Sequence, residues 1–399
     1  MGKFLCISKK RGLSSIDYVI LESQYVGYSL SKVYHKKYSN YIWVSSKFDG
    51  KKFKIIKKIK LCALKKQKSL TDSNIVAIPF KKNKVMIFRP PRGSFYIIKE
   101  NIEIGEDLAW IIGFYFAEGS KIRDGIGVSN KELVLINKNL RLFKDIFGID
   151  KSNWKIWIKT DKRSQKKKEL IKQRWAKKIR QKFNIGYAQL AKKEVFEIRI
   201  NSRILAYYLN KIFKDSMDKI LLSRELSRNF LKGYMIGDGG ITLRNKQIHR
   251  VSITVKEKEY VGYLTKALNL LYSQSPNIRF TKGCYEIYYC NVNIITEVIM
   301  DGLFDDLNRQ RIKLIRGYSN KKYTQARVKY WDKISGRALN AIRIAELSGN
   351  SHWSVRDALN QDIGLGLVNS KYKHINRSGP ATKYYYLNPK GLKLLNLVK

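Results

Sequence analysis

The chain has 399 residues of which 44% are apolar, enough for two or three packed domains and too structured in composition for general disorder. Its 80 Lys and Arg against 32 Asp and Glu give a formal net charge of +48 and an isoelectric point near 10.0. A globular chain so basic repels itself until a polyanion neutralises it, which points to nucleic acid, since each phosphate contacted releases condensed counterions.

Residues 1 to about 100 read as a small basic module, mostly β or α+β. Runs such as Tyr41-Ile42-Trp43-Val44, Phe53-Lys54-Ile55-Ile56 and Val85-Met86-Ile87-Phe88 alternate there with lysine-rich turns. Arg89-Pro90-Pro91-Arg92-Gly93 is a loop, because the residue before a proline is pushed out of helix, and a boundary is expected near residue 100. Next comes an apolar helix, Leu108–Glu118, then a strand over Ile122–Ser129. Asn130 is placed to cap a helix whose apolar residues Leu133, Ile136, Leu140, Phe143 and Phe147 keep helical spacing until Gly148 stops it. Trp154, Ile156 and Ile158 alternate as a half-buried strand, as do Phe196, Ile198 and Ile200, and a helix follows over Ser202–Phe213.

The order then recurs. A helix over Phe230–Asp238 leads to strands around Ile241–Leu243 and Gln247–Val255, and to a helix with Val261, Leu264, Leu268 and Leu271 on one stripe. Strands near Asn277–Phe280 and Tyr285–Cys290 and a helix over Ile294–Phe304 complete it, so both halves, about 105–215 and 225–310, read α-β-β-α-β-β-α. The first half holds a lysine- and arginine-rich insertion, Asp161–Phe183, with Lys167, Lys168 and Arg174 among its cations. Such a run is either a solvated face or a phosphate-contacting helix.

From about 335 to 399 the character changes. Ala338–Leu347 and Ser351–Gln361 form two helices around a glycine turn, followed by strands over Val368–His374 and Lys383–Leu387 and a closing helix over Pro389–Val398. That order resembles a winged helix, with Ser351 capping the recognition helix and Trp353 and Arg356 facing a groove; the alternative is an αβ appendage packed on the core. Cys6, Cys62, Cys284 and Cys290 form no C-x-x-C pair, and the four histidines lack ligand spacing, so reduced thiols and no zinc are expected. Met1-Gly2-Lys3-Phe4 lacks a signal core, and the longest apolar run, Leu108 to Ala117, is too short for a bilayer. The expectation is an intracellular protein, cytoplasmic or nucleoid-associated, with an organellar setting left open and no membrane partner.

The two recurring helices share more than their place. Ile111-Ile112-Gly113-Phe114-Tyr115-Phe116-Ala117-Glu118-Gly119 and Leu231-Lys232-Gly233-Tyr234-Met235-Ile236-Gly237-Asp238-Gly239 each carry small residues at the third and seventh places and an acid at the eighth. The acids stand 120 positions apart, each where a helix C-terminus disfavours negative charge. Gly113 and Ala117, like Gly233 and Gly237, lie at i and i+4 and leave one helix face bare for close backbone approach. Were the helices to pack on that face, Glu118 and Asp238 would end as hard oxygen donors suited to Mg²⁺, or Mn²⁺, and a phosphate oxygen.

These nonamers and the duplicated halves resemble the LAGLIDADG homing endonucleases in their single-chain, two-motif form, over about residues 100–320. The resemblance implies an α+β fold, a pseudo-symmetric duplicated αββαββα core with saddle-shaped antiparallel sheets lying along the DNA major groove. It implies site-specific, metal-dependent double-strand cleavage, with Glu118 and Asp238 binding metal beside the carbonyls of Ala117 and Gly237. Sheet residues Arg123, Lys155, Arg250 and Tyr288 would face the bases. Lys256 and Lys282, and less directly Lys131 and Lys159, are the candidates for the lysine that the family keeps near the attacking water. Two motifs in one chain imply a monomer. The competing readings are a non-cleaving DNA-binding regulator and an intron RNA maturase, which would add RNA to double-stranded DNA as a partner. Without a first nucleophile or a terminal His-Asn, protein splicing is not supported.

Overall fold

The computed structural model describes residues 3–6, 29–35, 41–47, 54–60, 76–81, 84–88, 96–99, 101–120, 125–161, 168–179, 182–187, 194–374 and 380–399. The chain is α+β and divides into two compact units, Met1–Gly237 and Asp238–Lys399. No helix among the described residues is long and apolar enough to cross a membrane.

Unit 1 opens with strands β1 (Lys3–Cys6), β2 (Ser29–His35), β3 (Tyr41–Lys47), β4 (Lys54–Lys60), β5 (Val76–Lys81), β6 (Lys84–Phe88), β7 (Tyr96–Lys99) and β8 (Asn101–Ile104). They form two antiparallel meanders, β2-β3-β4 and β5-β6-β7, while β1 pairs with β8 in front of the first motif helix. That helix, α1 (Glu106–Glu118), is buried at every residue from Leu108 to Phe116, as expected of a helix apolar all round. After it come β9 (Ile126–Asn130), α2 (Leu133–Phe147), β10 (Lys155–Thr160), α3 (Lys168–Ala176), β11 (Phe183–Tyr187), β12 (Val195–Ile200), α4 (Arg203–Ile220) and α5 (Arg224–Asp238), whose last residue opens unit 2. Gly148 ends α2 in the left-handed conformation, φ 75°, which frees its amide to bond back into the last turn.

The sheet of unit 1 runs β11-β10-β12-β9. Ile156, Ile158, Phe196, Ile198, Ile126 and Val128 point to its buried face, where α2 and α4 supply Phe143, Phe147 and Phe213. The expectation of purely antiparallel sheets needs correction here: β11 pairs parallel to β10. The basic insertion is the reason. It is long enough to fold α3 between the two strands, which is the kind of crossover that parallel pairing requires and a tight hairpin cannot provide.

Unit 2 consists of β13 (Gly239–Arg244), β14 (Gln247–Val255), α6 (Lys258–Leu271), β15 (Asn277–Thr281), β16 (Cys284–Tyr289), α7 (Val292–Met300), α8 (Asn308–Ser319), α9 (Lys322–Lys333), β17 (Leu339–Asn340), α10 (Ala341–Ser348), α11 (His352–Gly364), β18 (Val368–Lys373), β19 (Thr382–Leu387) and α12 (Pro389–Val398). Its first sheet is antiparallel, β13-β14-β16-β15. Both hairpins in it close on two residues with positive φ, Asn245-Lys246 and Lys282-Gly283, the geometry that suits the right-handed twist of the strands. In each unit the strand before the amphipathic helix (β9, β14) neighbours the strand before the closing helix (β12, β16), and that neighbours the strand between (β10, β15).

The C-terminal elements form a second sheet in unit 2, β17-β19-β18. A buried network fastens them. Arg327 on α9 forms an ion pair with Asp362 on α11 and donates to Gln361 Oε1 at 2.7 Å, while Trp331 Nε1 donates to Asp362 Oδ2 at 2.9 Å. The Arg327 guanidinium also lies 3.8 Å from the centre of the Tyr323 ring, and Tyr323 donates its hydroxyl to Asn293 Oδ1 on α7 at 2.9 Å.

Candidate acid site and nucleic-acid interface

Glycines set how closely the motif helices meet. A Cβ on Gly113 would stand 1.9 Å from the carbonyl oxygen of Phe230, and one on Gly233 would stand 2.0 Å from that of Trp110. Each glycine thus admits the other helix's backbone, a reciprocal contact that any side chain would block. Asn229 Nδ2 donates to Glu106 Oε2 at 2.8 Å at one end of this seam. At the other end, a Cβ on Gly237 would lie 2.6 Å from Glu118 Cγ and 2.8 Å from the Cβ of Ala117.

Glu118 is the last residue of α1 and half-buried. Asn130 holds it by donating Nδ2 to Glu118 Oε1 at 3.1 Å, while its own Oδ1 accepts from the Glu132 amide at 2.9 Å. The sequence reading gave Asn130 only the capping role; Glu132 is the residue at the cap position of α2, and Asn130 bridges it to the acid. An Asn twelve positions after a helix-terminal acid leaves no recognisable signal, since β9 must first fold back for the two to meet. Beyond Glu118 the chain turns extended at Gly119, which bridges to Val128 on β9, and Ser120 donates its amide to the Gly127 carbonyl at 2.8 Å. Asp238 is the last residue of α5, also half-buried, with β13 starting at the next position.

Among the described residues, no three His, Cys, Asp or Glu side chains gather closely enough to hold a metal by themselves. A hard cation here would draw on carboxylate, carbonyl and water oxygens, which is the donor set Mg²⁺ prefers. The missing Cβ at Gly237 leaves room for the Glu118 side chain, whose Cγ would stand 2.6 Å from it.

The faces of the two four-stranded sheets turned away from the helices are polar. In unit 1 strand alternation places Ser129, Lys155, Trp157, Lys159, Glu197 and Arg199 on that face, and Lys159 pairs with Glu197. In unit 2 it places Thr242, Arg250, Ser252, Arg279, Glu286 and Tyr288 there. Glu286 anchors both arginines: Arg250 Nη2 lies 3.1 Å from its Oε1, and Arg279 Nε donates to its Oε2 at 2.6 Å. Both guanidiniums stand over the Tyr288 ring, at 5.5 and 5.6 Å from its centre.

The other sequence candidates are distributed more widely. Lys256 is exposed directly after β14, and Lys282 occupies a hairpin tip with φ 51°. Lys168 is exposed at the start of α3, but Arg174 is engaged in an ion pair with Glu194, which also accepts from Trp175 Nε1 at 2.7 Å. Ser351 caps α11 by accepting from the Ser354 amide at 3.2 Å. Trp353 is 62% exposed beside it, with the Arg356 guanidinium 4.2 Å from its ring centre. Arg123 and Lys167 lie outside the described residues. Sequence reasoning missed Asn130, Glu286, Arg279 and the Arg327–Asp362 pair.

No protein-family model matches the chain. Over 166 residues, 40% of this chain, it is 27% identical to the DNA-directed RNA polymerase subunit Rpo1C of Methanocaldococcus jannaschii, and it spans only 15% of that relative's length. Among solved structures it is similar to the N-terminal LAGLIDADG domain of DUF199/WhiA, at 15% identity and a TM-score of 0.33, over 55% of this chain and 89% of that one. It is also similar to full-length DUF199/WhiA from Thermatoga maritima, at 14% identity and 0.33, over 69% and 93%. The third is I-DmoI in complex with DNA and Mn, at 17% identity and 0.29, over 55% and 98%. Superposition this partial carries no function over to the chain.

Proposed function

We propose that the chain is a double-strand DNA endonuclease of the single-chain LAGLIDADG kind, built on a duplicated αββαββα core. A basic module over residues 1–100 precedes that core, and a winged-helix DNA-binding domain over 335–399 follows it. The observation that carries the reading is Glu118. A carboxylate ends a wholly buried helix, where the helix dipole opposes it, yet Asn130 orients it and the Gly237 backbone makes room for it. A sequence that keeps so unfavourable a group twice, as Glu118 and Asp238, has a use for it. Duplex DNA lies on the polar sheet faces, where Lys155, Arg250 and Tyr288 meet base edges and phosphates. Lys168 on α3 and Trp353 and Arg356 on α11 extend the contact along the backbone.

Glu118 and Asp238 would bind divalent metal, helped by the carbonyls of Ala117 and Gly237. Mg²⁺ or Mn²⁺ held there would supply a water of lowered pKa and positive charge to offset that on the leaving oxygen. Asn130 keeps the Glu118 carboxylate turned in one direction, and Lys256 or Lys282 would be the lysine near the attacking water.

A second reading is a DNA-binding regulator that does not cut, because the net charge of +48 and the polar sheet faces serve binding whether or not the acids hold a metal. One assay separates them. The chain is incubated with a library of long duplexes and Mg²⁺ beside the Glu118→Gln/Asp238→Asn variant. The nuclease reading expects sequence-specific double-strand breaks from the natural chain alone. Binding by both proteins with no breaks from either would leave the regulator.

A further inference from the structure

The small C-terminal sheet has one face that the proposed cleavage does not use. Its other face packs on helices: Tyr385 is buried, and Tyr385 Oη and Lys383 Nζ both reach Asn360 Oδ1 on α11. Gly391 at the start of α12 packs so closely that a Cβ there would meet the Leu367 carbonyl and the Leu387 side chain on this same side. Strand alternation therefore sends Tyr384 and Tyr386 the opposite way. There each ring is partly exposed and flanked by a lysine of β18. Lys373 Nζ lies 5.7 Å from the Tyr384 ring centre, and Lys371 Nζ lies 5.7 Å from that of Tyr386. Register adds amides at the margins, Asn340 beside Tyr384 and Asn369 beside Tyr386. No carboxylate occurs in β17, β18 or β19.

Tyrosine is a good strand former, and cross-strand lysine–tyrosine contacts stabilise a sheet, so one such pair would need no other explanation. Two such pairs side by side do more. Residues two apart on a strand hold their rings about 7 Å from each other, facing one way. Each ring offers a π-face to a base, and each flanking ammonium group sits where a phosphate would pass. Bases in a duplex are already stacked and present only their edges, so this surface suits unpaired bases.

We propose that the Tyr384–Tyr386 face is a stacking platform for single-stranded nucleic acid, with Lys371 and Lys373 holding its phosphates. It is independent of duplex cleavage and stands whether or not the chain is a nuclease.

The test uses the full chain without divalent metal and measures fluorescence anisotropy. Its probes are short labelled oligothymidylate, oligouridylate, an abasic oligodeoxynucleotide of equal length and a duplex. The natural chain should bind the base-bearing strands at least tenfold more tightly than the abasic one, since each stacked base contributes about fivefold to a hundredfold. The two base-bearing arms tell whether DNA or RNA is preferred. Tyr384→Ala/Tyr386→Ala should lose that preference and keep duplex binding, whereas Tyr384→Phe/Tyr386→Phe should retain it. Equal binding of abasic and base-bearing strands by the natural chain overturns the proposal, even if the alanine variant fails to fold. So does an alanine variant that folds and keeps the preference.

Discussion

Replacing Gly113 and Gly233 by alanine tests whether the motif helices meet backbone to backbone. The added Cβ atoms would stand 1.9 and 2.0 Å from carbonyl oxygens, against a limit near 3.0 Å that real contacts respect. Relief requires the helices to part by about 1 Å, because the obstacle on each side is main chain and no rotamer change removes it. Separation on that scale unpacks the surrounding aromatic residues, including Phe116 against Phe230. Overpacking of this kind costs about 3 kcal/mol, more than the roughly 1 kcal/mol that alanine gains over glycine in helix propensity. The net cost of about 2 kcal/mol corresponds, for a unit of 237 residues, to a fall of about 4–8 °C in melting temperature for each substitution. Gly262 on α6 is the internal control, since a Cβ there meets nothing within 4 Å. Gly262→Ala should raise stability by about 1 kcal/mol. Calorimetry or thermal melting by circular dichroism reads all three. Unchanged melting in Gly113→Ala and Gly233→Ala would refute the close seam, whatever the activity.

Other outcomes follow from side chains and charge. Gly237→Ala would press a Cβ to 2.6 Å from Glu118 Cγ and 2.8 Å from the Ala117 Cβ, which moves only with its backbone, so it should destabilise by about 1–3 kcal/mol and turn Glu118 aside; cleavage measured well below the melting temperature should fall as well. Burial raises the Asp362 carboxyl from 3.8 to about 6, with Arg327 and Trp331 partly offsetting the rise. A carboxyl raised on folding stabilises the fold while protonated. Its contribution is complete below pH 3.8 and lost as pH rises through about 6, a change on the order of 3 kcal/mol that Asp362→Asn should remove from the stability–pH curve. Arg327→Met strands the carboxylate instead and should destabilise by about 3–5 kcal/mol at neutral pH, measured by urea unfolding. Lys155→Ala should weaken duplex binding most at the target sequence, as for a lost base contact; a loss alike for all sequences, with the salt slope reduced by about 0.9, would assign Lys155 to a phosphate instead.

Much of the fold was legible because its signals are local. The spacing of Leu140, Phe143 and Phe147 marks α2, Gly148 ends it, and the alternation of Ile156 and Ile158 marks β10. The glycines of the two motifs were legible as a contact face for the same reason, since i and i+4 share a face in any helix. What escaped depends on register and on distant pairing. Glu286 holds Arg250 and Arg279 only because β16 lies between β14 and β15 in one particular alignment, and a shift of one residue would turn all three away. Arg327 and Asp362 stand 35 positions apart and read individually as surface charges, yet they form the buried tie that holds α11 against α9. The length of the basic insertion was plain, but not that it would return as a parallel edge strand.

The motif glycines also explain why acids and packing coincide at one end of the helix pair. A tight seam requires small residues along its length, and at its far end the last of them, Gly237, opposes a side chain where Gly113 and Gly233 oppose main chain. The first two contacts fix the separation of the helices. The third then decides how much room the Glu118 carboxylate has, and Asn130 decides which way it turns. Stability thereby depends on all three glycines, and site geometry most directly on Gly237. Damage at any of the three should cost stability, and damage at Gly237 should in addition turn the acid aside. A seam whose only purpose was packing would give no reason to place an acid beside it, against the helix dipole, or to orient that acid with a buried amide.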